Sequence, residues 1–121
     1  MKPRFVELAK RAARHSQHSM RVGAVVARKN QVLSLGFNKP TKTHPKSRNE
    51  FARIHAELDA ILGVSLDALR GTSVYVVRLT KTNLLASSHP CKDCMNLLRE
   101  VGVRKVFFVD EKRAIREESI L

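Results

Sequence analysis

The only two cysteines of this chain, Cys91 and Cys94, stand three residues apart directly after Pro90, and that spacing limits what the 121 residues can build around them. Proline suits the opening of a helix. Both thiols then fall in one helical turn and on one face, beside backbone N–H groups that favour thiolate. Such a pair is a disulfide, a redox couple, half of a structural zinc knot or half of a catalytic metal site. Either metal site needs ligands from elsewhere, and the sequence has no further cysteine. Of the five histidines (15, 18, 44, 55 and 89), only His55 opens a helical pattern with an acid two residues on, in His55-Ala56-Glu57. His55, Cys91 and Cys94 would give three protein ligands and leave the fourth position to water, the arrangement of a catalytic zinc; structural sites close all four positions. Zinc lowers the pKa of such a water toward about 7, and Glu57 is placed to move its proton without binding the metal.

Each residue also has a plainer explanation. A redox pair would account for the cysteines but leave His55 and Glu57 without a role. A lone histidine is most often a satisfied core residue, and a lone helix glutamate an exposed acid paired with a lysine. The metal reading uses all four residues at once.

The rest of the chain reads as a small α/β protein. Residues 3–17 form a helical pattern with Pro3 in its first turn and Phe5, Leu8, Ala9, Ala12 and Ala13 on one face. Strands are expected near 21–28 and 31–37 around a Lys29-Asn30 turn, then a polar loop over 38–53 broken by Pro40 and Pro45. A helix near 54–62 closes at Gly63, a short helical turn follows at 65–70, and 72–79 is a β-branched strand. Residues 80–88 are expected to make a small hairpin or strand extension, 91–101 a helix ending at Gly102, 104–110 a strand, and the charged tail 111–121 a helix. This order predicts one domain over 1–121, a mixed sheet covered by helices in an α/β sandwich.

Charge narrows the partners. The net charge is +12, and residues 1–54 carry thirteen Lys/Arg against Glu7 and Glu50, while 55–121 carry ten against nine acids. A one-sided positive field draws phosphorylated ligands, whether nucleotide or nucleic acid; the plain alternative is a basic surface that only maintains solubility. In the basic loop, Lys39, Lys42, Lys46 and Arg48 are the candidate phosphate contacts. No apolar run reaches the ~20 residues of a membrane span, and no secretory h-region opens the chain. No membrane partner and a cytoplasmic location are therefore expected.

The pattern His55-Ala56-Glu57 … Pro90-Cys91-Lys92-Asp93-Cys94 is that of zinc nucleobase deaminases. Over roughly residues 20–110 the chain resembles the cytidine and deoxycytidylate deaminase superfamily. Val22–Val26 resembles its first strand, Gly36-Phe37-Asn38 its G-x-N, His55–Ile61 its H-A-E-x-x-A-I, and Arg99–Asp110 the helix end and strand after the zinc cysteines. The layout is also similar to short virus-encoded deoxycytidylate deaminase-like members. The resemblance implies a three-layer α/β/α sandwich on a mixed sheet of about five strands, one zinc ion, and hydrolytic conversion of cytosine to uracil by attack at C4, with Glu57 as proton shuttle. It implies substrate contacts from Asn38 and from backbone groups near Ala56, Ser88 and Pro90, and a homo-oligomer. A free nucleotide such as dCMP or CMP is the expected substrate. Cytosine, or less readily adenine, in single-stranded DNA or RNA is the alternative, weakened by the scarcity of aromatic residues for base stacking: five Phe, one Tyr and no Trp.

Overall fold

The computed structural model describes residues 2–17, 20–39 and 55–120. Its elements are α1 (Pro3–Arg14), β1 (Arg21–Arg28), β2 (Gln31–Phe37), α2 (Ala56–Leu62), α3 (Leu66–Leu69), β3 (Ser73–Leu79), β4 (Leu85–Ala86), α4 (Lys92–Glu100), β5 (Lys105–Val109) and β6 (Ile115–Ser119). The sheet runs β2-β1-β3-β5-β6, with β4 paired to the end of β3. Only β3 and β5 are parallel; β1–β2, β1–β3, β3–β4 and β5–β6 are antiparallel.

Strand alternation separates two cores, because successive side chains point to opposite faces of the sheet. Val25, Ala27, Tyr75, Val77, Leu79, Phe107 and Val109 face α1 and pack on its Phe5, Val6, Ala9 and Ala13. Ala24, Val26, Val74, Val76 and Val106 face the other way, onto Ala56, Leu58, Ala60 and Ile61 of α2 and Met95 and Leu98 of α4. The result is the expected α/β/α sandwich. Small residues set how close the layers come. A Cβ on Gly23 would lie 2.0 Å from the Ala9 carbonyl oxygen, and one on Gly36 would lie 2.4 Å from the Ala60 amide nitrogen. Both helices therefore rest directly on the sheet backbone.

The tail and the end of the first helix differ from expectation. The sheet of about five strands has six among the described residues, the tail adding a strand where a helix was expected. Glu, Lys, Arg and Ala give residues 111–117 high helix propensity, but Asp110 redirects the chain. Its carboxylate accepts from the amides of Lys112 (2.8 Å) and Ala114 (2.9 Å) and from Arg116 Nε (2.7 Å), and Arg113 takes a left-handed φ of 66°. This Asx-type turn folds β6 back on β5, and its charged residues suit an edge strand. The hairpin expected at 80–88 is present as β3–β4, with Asn83 at φ 65° bonded to Arg21. Helix α1 stops at Arg14, three residues short of the expected end. No described helix is long and apolar enough to cross a membrane.

Candidate active site

Helices α2 and α4 lie on one face of the sheet, and each begins at a metal-ligand candidate. His55 is the N-cap of α2, its carbonyl accepting from the Asp59 amide at 3.0 Å. Cys91 is the N-cap of α4, its Sγ accepting from the Cys94 amide at 3.5 Å. Cys94 therefore sits one turn into the helix, and both sulfurs lie near the positive end of the α4 dipole. Asp59 ties α2 to β2 by accepting from the Phe37 amide at 3.1 Å, and the Gly36–Ala60 contact brings the same helix against that strand.

The two helix starts meet. His55 Nδ1 is 3.3 Å from Cys94 Sγ and 3.7 Å from Cys91 Sγ, and all three ligand atoms lie within 4.8 Å of one another. Zn–N bonds of about 2.0–2.1 Å and Zn–S bonds of about 2.3 Å at tetrahedral angles place nitrogen and sulfur about 3.5 Å apart. The observed distances bracket that value, so the three residues are positioned as zinc ligands. Among the described residues no fourth His, Cys, Asp or Glu joins the group, which matches the catalytic rather than the structural pattern.

Glu57 is 5% exposed, in the first turn of α2. Burial pushes its carboxyl above the usual range, opposed by its own backbone N–H, by the charge of His55 and by a hydrogen bond with Cys94. Burial likewise pushes the Cys94 thiol up, helped by the neighbouring charges of Glu57 and Cys91. Glu57 and Cys94, side by side in a buried site, resist ionising together. A divalent cation among them reverses that preference, since a coordinating thiol is deprotonated outright. The donor set thus fits zinc both in geometry and in charge.

A cavity of about 190 Å³ opens beside these groups. His55, Ala56 and Glu57 line it from α2, Val22 from β1, Val76 and Arg78 from β3, and Ser87, Ser88, His89 and Cys91 from the approach to α4. Asn38 and Met20 complete the wall. Asn38 is buried, and its amide is engaged on one side: Nδ2 donates to the Met20 carbonyl (2.7 Å) and Oδ1 accepts from the Val22 amide (2.9 Å). One donor and one acceptor site of the amide remain by count. Ser88 Oγ donates to the Val76 carbonyl (2.7 Å) and accepts from the Val109 amide (2.8 Å), bridging β3 and β5 where they diverge. Its hydroxyl is structural, so any ring contact falls to its backbone.

Other candidates lie elsewhere. Pro90 is buried between lining residues without lining the cavity itself, and its carbonyl meets His89 Nδ1 at 2.9 Å. Lys39 pairs with Asp59 at 2.6 Å and stands over the Phe37 ring, away from the cavity. Lys42, Lys46 and Arg48 lie outside the described residues, as does His44. His89 packs edge-on against Phe108 and reaches Glu118 of β6 at 3.4 Å. Arg78 escaped sequence reasoning. It is a cation in a strand of valines, and its alternation with Val74 and Val76, which puts it on the α2 side, was the signal that could have found it.

The family model for the cytidine and deoxycytidylate deaminase zinc-binding region matches residues 1–110. The chain belongs to the cytidine and deoxycytidylate deaminase family. Relatives of this family chain include a probable deoxycytidylate deaminase of Caenorhabditis elegans, 26% identical over 90% of the chain, and the deoxycytidylate deaminase of Mus musculus, 25% identical over 89%. The chain spans only 57% and 63% of the lengths of these two relatives. The dCMP deaminase of cyanophage S-TIM5 superposes with a TM-score of 0.57 at 26% identity, covering 88% of this chain and 82% of that one. It has also been solved in complex with dCMP and dUMP. The cytidine deaminase of Burkholderia pseudomallei shares the fold, with a TM-score of 0.71 at 19% identity over 99% of this chain and 93% of its own.

Proposed function

We propose that this chain converts the cytosine of a free nucleotide, of the dCMP or CMP type, to uracil with loss of ammonia. The observation that carries the reading is the meeting of His55 Nδ1 with both cysteine sulfurs beside buried Glu57, in the wall of a ring-sized cavity. A volume of about 190 Å³ is below the ~300–1,000 Å³ of drug-sized sites. It suits a pyrimidine with its sugar and phosphate left nearer solvent. The dCMP-bound phage relative supports the same substrate class.

His55, Cys91 and Cys94 hold the zinc, which when bound supplies Lewis acidity and lowers the pKa of a water toward about 7. Val22 and Val76 give the ring an apolar bed and exclude bulk solvent. The Ala56 amide, at the start of α2 and without an intrahelical partner, donates to the ring edge. The Ser88 backbone and the remaining valences of Asn38 fix its orientation; Pro90 supports them by holding the turn into α4. Glu57 takes the proton of the attacking water on its carboxylate, delivers it to ring N3 as the C4–O bond forms, and then carries the proton of the new C4 hydroxyl to the C4 amine, which leaves the C4 carbonyl of uracil. The C4–N bond breaks and ammonia leaves. One water is consumed for each ammonia released. Burial raises the Glu57 carboxyl, the direction that suits a group which must both accept and return a proton.

Arg78 is the described cation in the cavity wall, and its guanidinium has no hydrogen bond or ion pair with any described residue. It is the side chain best placed to meet the nucleotide phosphate, ahead of Lys39, whose charge is taken by Asp59. Lys42, Lys46 and Arg48 remain further phosphate contacts of the proposal.

Polynucleotide deamination is the second reading, favoured by the charge of residues 1–54. Base stacking argues against it, because Phe5, Tyr75 and Phe107 are buried beneath α1 and Phe108 is covered by His89. The test is ammonia release from cytidine, dCMP, dCTP and a cytosine-containing single strand. Turnover of dCMP is expected; turnover of the oligonucleotide alone would overturn the proposal.

A further inference from the structure

Asn38 is held on several sides, and the holds come from different elements of the fold. Its backbone amide donates to the Val22 carbonyl at 3.2 Å, and its own carbonyl accepts from the buried Ser16 Oγ at 3.0 Å. Together with the side-chain bonds to Met20 and Val22, these contacts tie Asn38 to β1 and to the end of α1. Its hydrogen-bonded tie to α2, the helix that begins at His55 and carries Glu57, runs through Asp59.

Successive amides along a strand point to opposite sides. The Asn38 amide is turned toward β1, so the Phe37 amide points off the open edge of β2. There Asp59 Oδ2 accepts from it at 3.1 Å, and the same oxygen pairs with Lys39 Nζ at 2.6 Å. Lys39 Nζ in turn stands 4.2 Å from the centre of the Phe37 ring. One carboxylate oxygen thus grips the residue before Asn38 and the residue after it. Two steps along a helix turn a side chain by about 200°, which is why Glu57 lines the cavity while Asp59 faces the strand edge. The Gly36–Ala60 contact already sets how deeply α2 rests on the sheet. Asp59 adds the placement of residues 37–39 relative to Glu57.

We propose that Asp59 is a positioning residue for the substrate contact at Asn38, holding it in register with the proton-carrying carboxylate of Glu57. The inference rests on the reading of Asn38 as a group that orients the base. A ring gripped by Asn38 must present N3 and C4 to Glu57, and a misplacement of about 1 Å costs on the order of 10²-fold in rate. Asp59 is not part of the cavity wall, so it acts on the reaction only through the segment it holds. The Phe37 amide needs an acceptor oxygen rather than a charge, and a neutral oxygen in the same place keeps most of the hold.

The test is a double-mutant cycle on zinc-loaded protein. It is read as kcat/KM for dCMP, or for cytidine or the cytosine-containing single strand if only these are turned over. Failure of the nucleotide reading would thus appear as a change of substrate and leave the cycle intact. Asn38→Ala and Asp59→Ala should each lower kcat/KM by about tenfold or more, with zinc content retained. Because Asp59 acts through Asn38, the double variant should lie within about twofold of Asn38→Ala, where independent effects would multiply. Asp59→Asn, whose amide oxygen still accepts from the Phe37 N–H, should recover most of the loss. Asp59→Leu, of similar shape but without an acceptor, should not, and it stands in for the alanine variant if that one fails to fold. Asn38→Ala without effect would remove the substrate contact and the inference with it. With Asn38→Ala damaging, the proposal is overturned if Asp59→Leu is as active as the unmodified chain or if the losses multiply. It is equally overturned if Asp59→Asn is as impaired as Asp59→Leu.

Discussion

Gly36 of β2 and Ala60 of α2 touch backbone to backbone, with room for hydrogen alone where a side chain would stand on the glycine. This contact fixes the depth at which α2 rests on the sheet, and hence where His55 and Glu57 stand relative to the two cysteines. Gly36→Ala would force the Ala60 amide away from a Cβ only 2.4 Å distant. Overpacking of this kind costs about 1–3 kcal/mol, and denaturant unfolding should show at least that loss. Zinc affinity should fall with it, because the displaced element carries one ligand while the other two stay on α4.

Glu57→Gln keeps the shape of the side chain and removes its capacity to accept a proton. Zinc content and thermal stability should stay close to those of the unmodified chain, while kcat falls by about 10²–10⁴, the range of a general acid–base contribution. Metal analysis and steady-state kinetics on the same sample separate the two effects.

Arg78→Ala tests the phosphate contact through a split between substrates. For dCMP, KM should rise by about tenfold or more, as expected on losing a charge-assisted hydrogen bond. For cytidine, which has no phosphate, kcat/KM should change little. Equal loss on both would assign Arg78 to the cavity wall alone.

Zinc uptake should release protons. The Cys94 thiol is held up by burial, and both thiols must ionise to bind the metal. Titrating zinc into apoprotein in weak buffer near pH 7 should liberate about two protons per ion, and affinity should drop as pH is lowered.

How much of this was legible in the sequence depended on the range of the interactions. His55, Cys91 and Cys94 could be found because metal chemistry demands particular residue types, and proline and helix-start patterns placed them on two helix ends. The strands of the two cores were legible from β-branched runs such as Val74–Val77. Strand β6 was not, because its residues favour a helix and a single carboxylate, that of Asp110, overrides them through a turn. Arg78 and Ser88 were hard for a different reason: whether a side chain faces substrate or bridges two strands is settled by sheet pairing, not by local pattern.

The Asp110 turn makes its own prediction. Hydrogen bonds from Arg116 first, then from the Ala114 amide, hold the Asp110 carboxyl below its ordinary value. A carboxylate whose folded pKa is depressed stabilises the fold above its unfolded pKa of ~3.9, and this contribution is lost as pH falls through the lower folded value. Asp110→Asn should weaken the β5–β6 hairpin at neutral pH and remove that part of the acid dependence. Hydrogen exchange of the Arg116–Ser119 amides at pH 7 and pH 3 reads both effects.

Whether three side chains hold zinc beside Glu57 to deaminate a cytosine nucleotide is decided by simultaneous measurement of ammonia and dUMP formed from dCMP by protein carrying one zinc per chain. Equal amounts of both products are expected, with turnover lost in Glu57→Gln that still carries its zinc. Zinc-loaded protein that leaves dCMP intact, or undiminished turnover in Glu57→Gln, would contradict it.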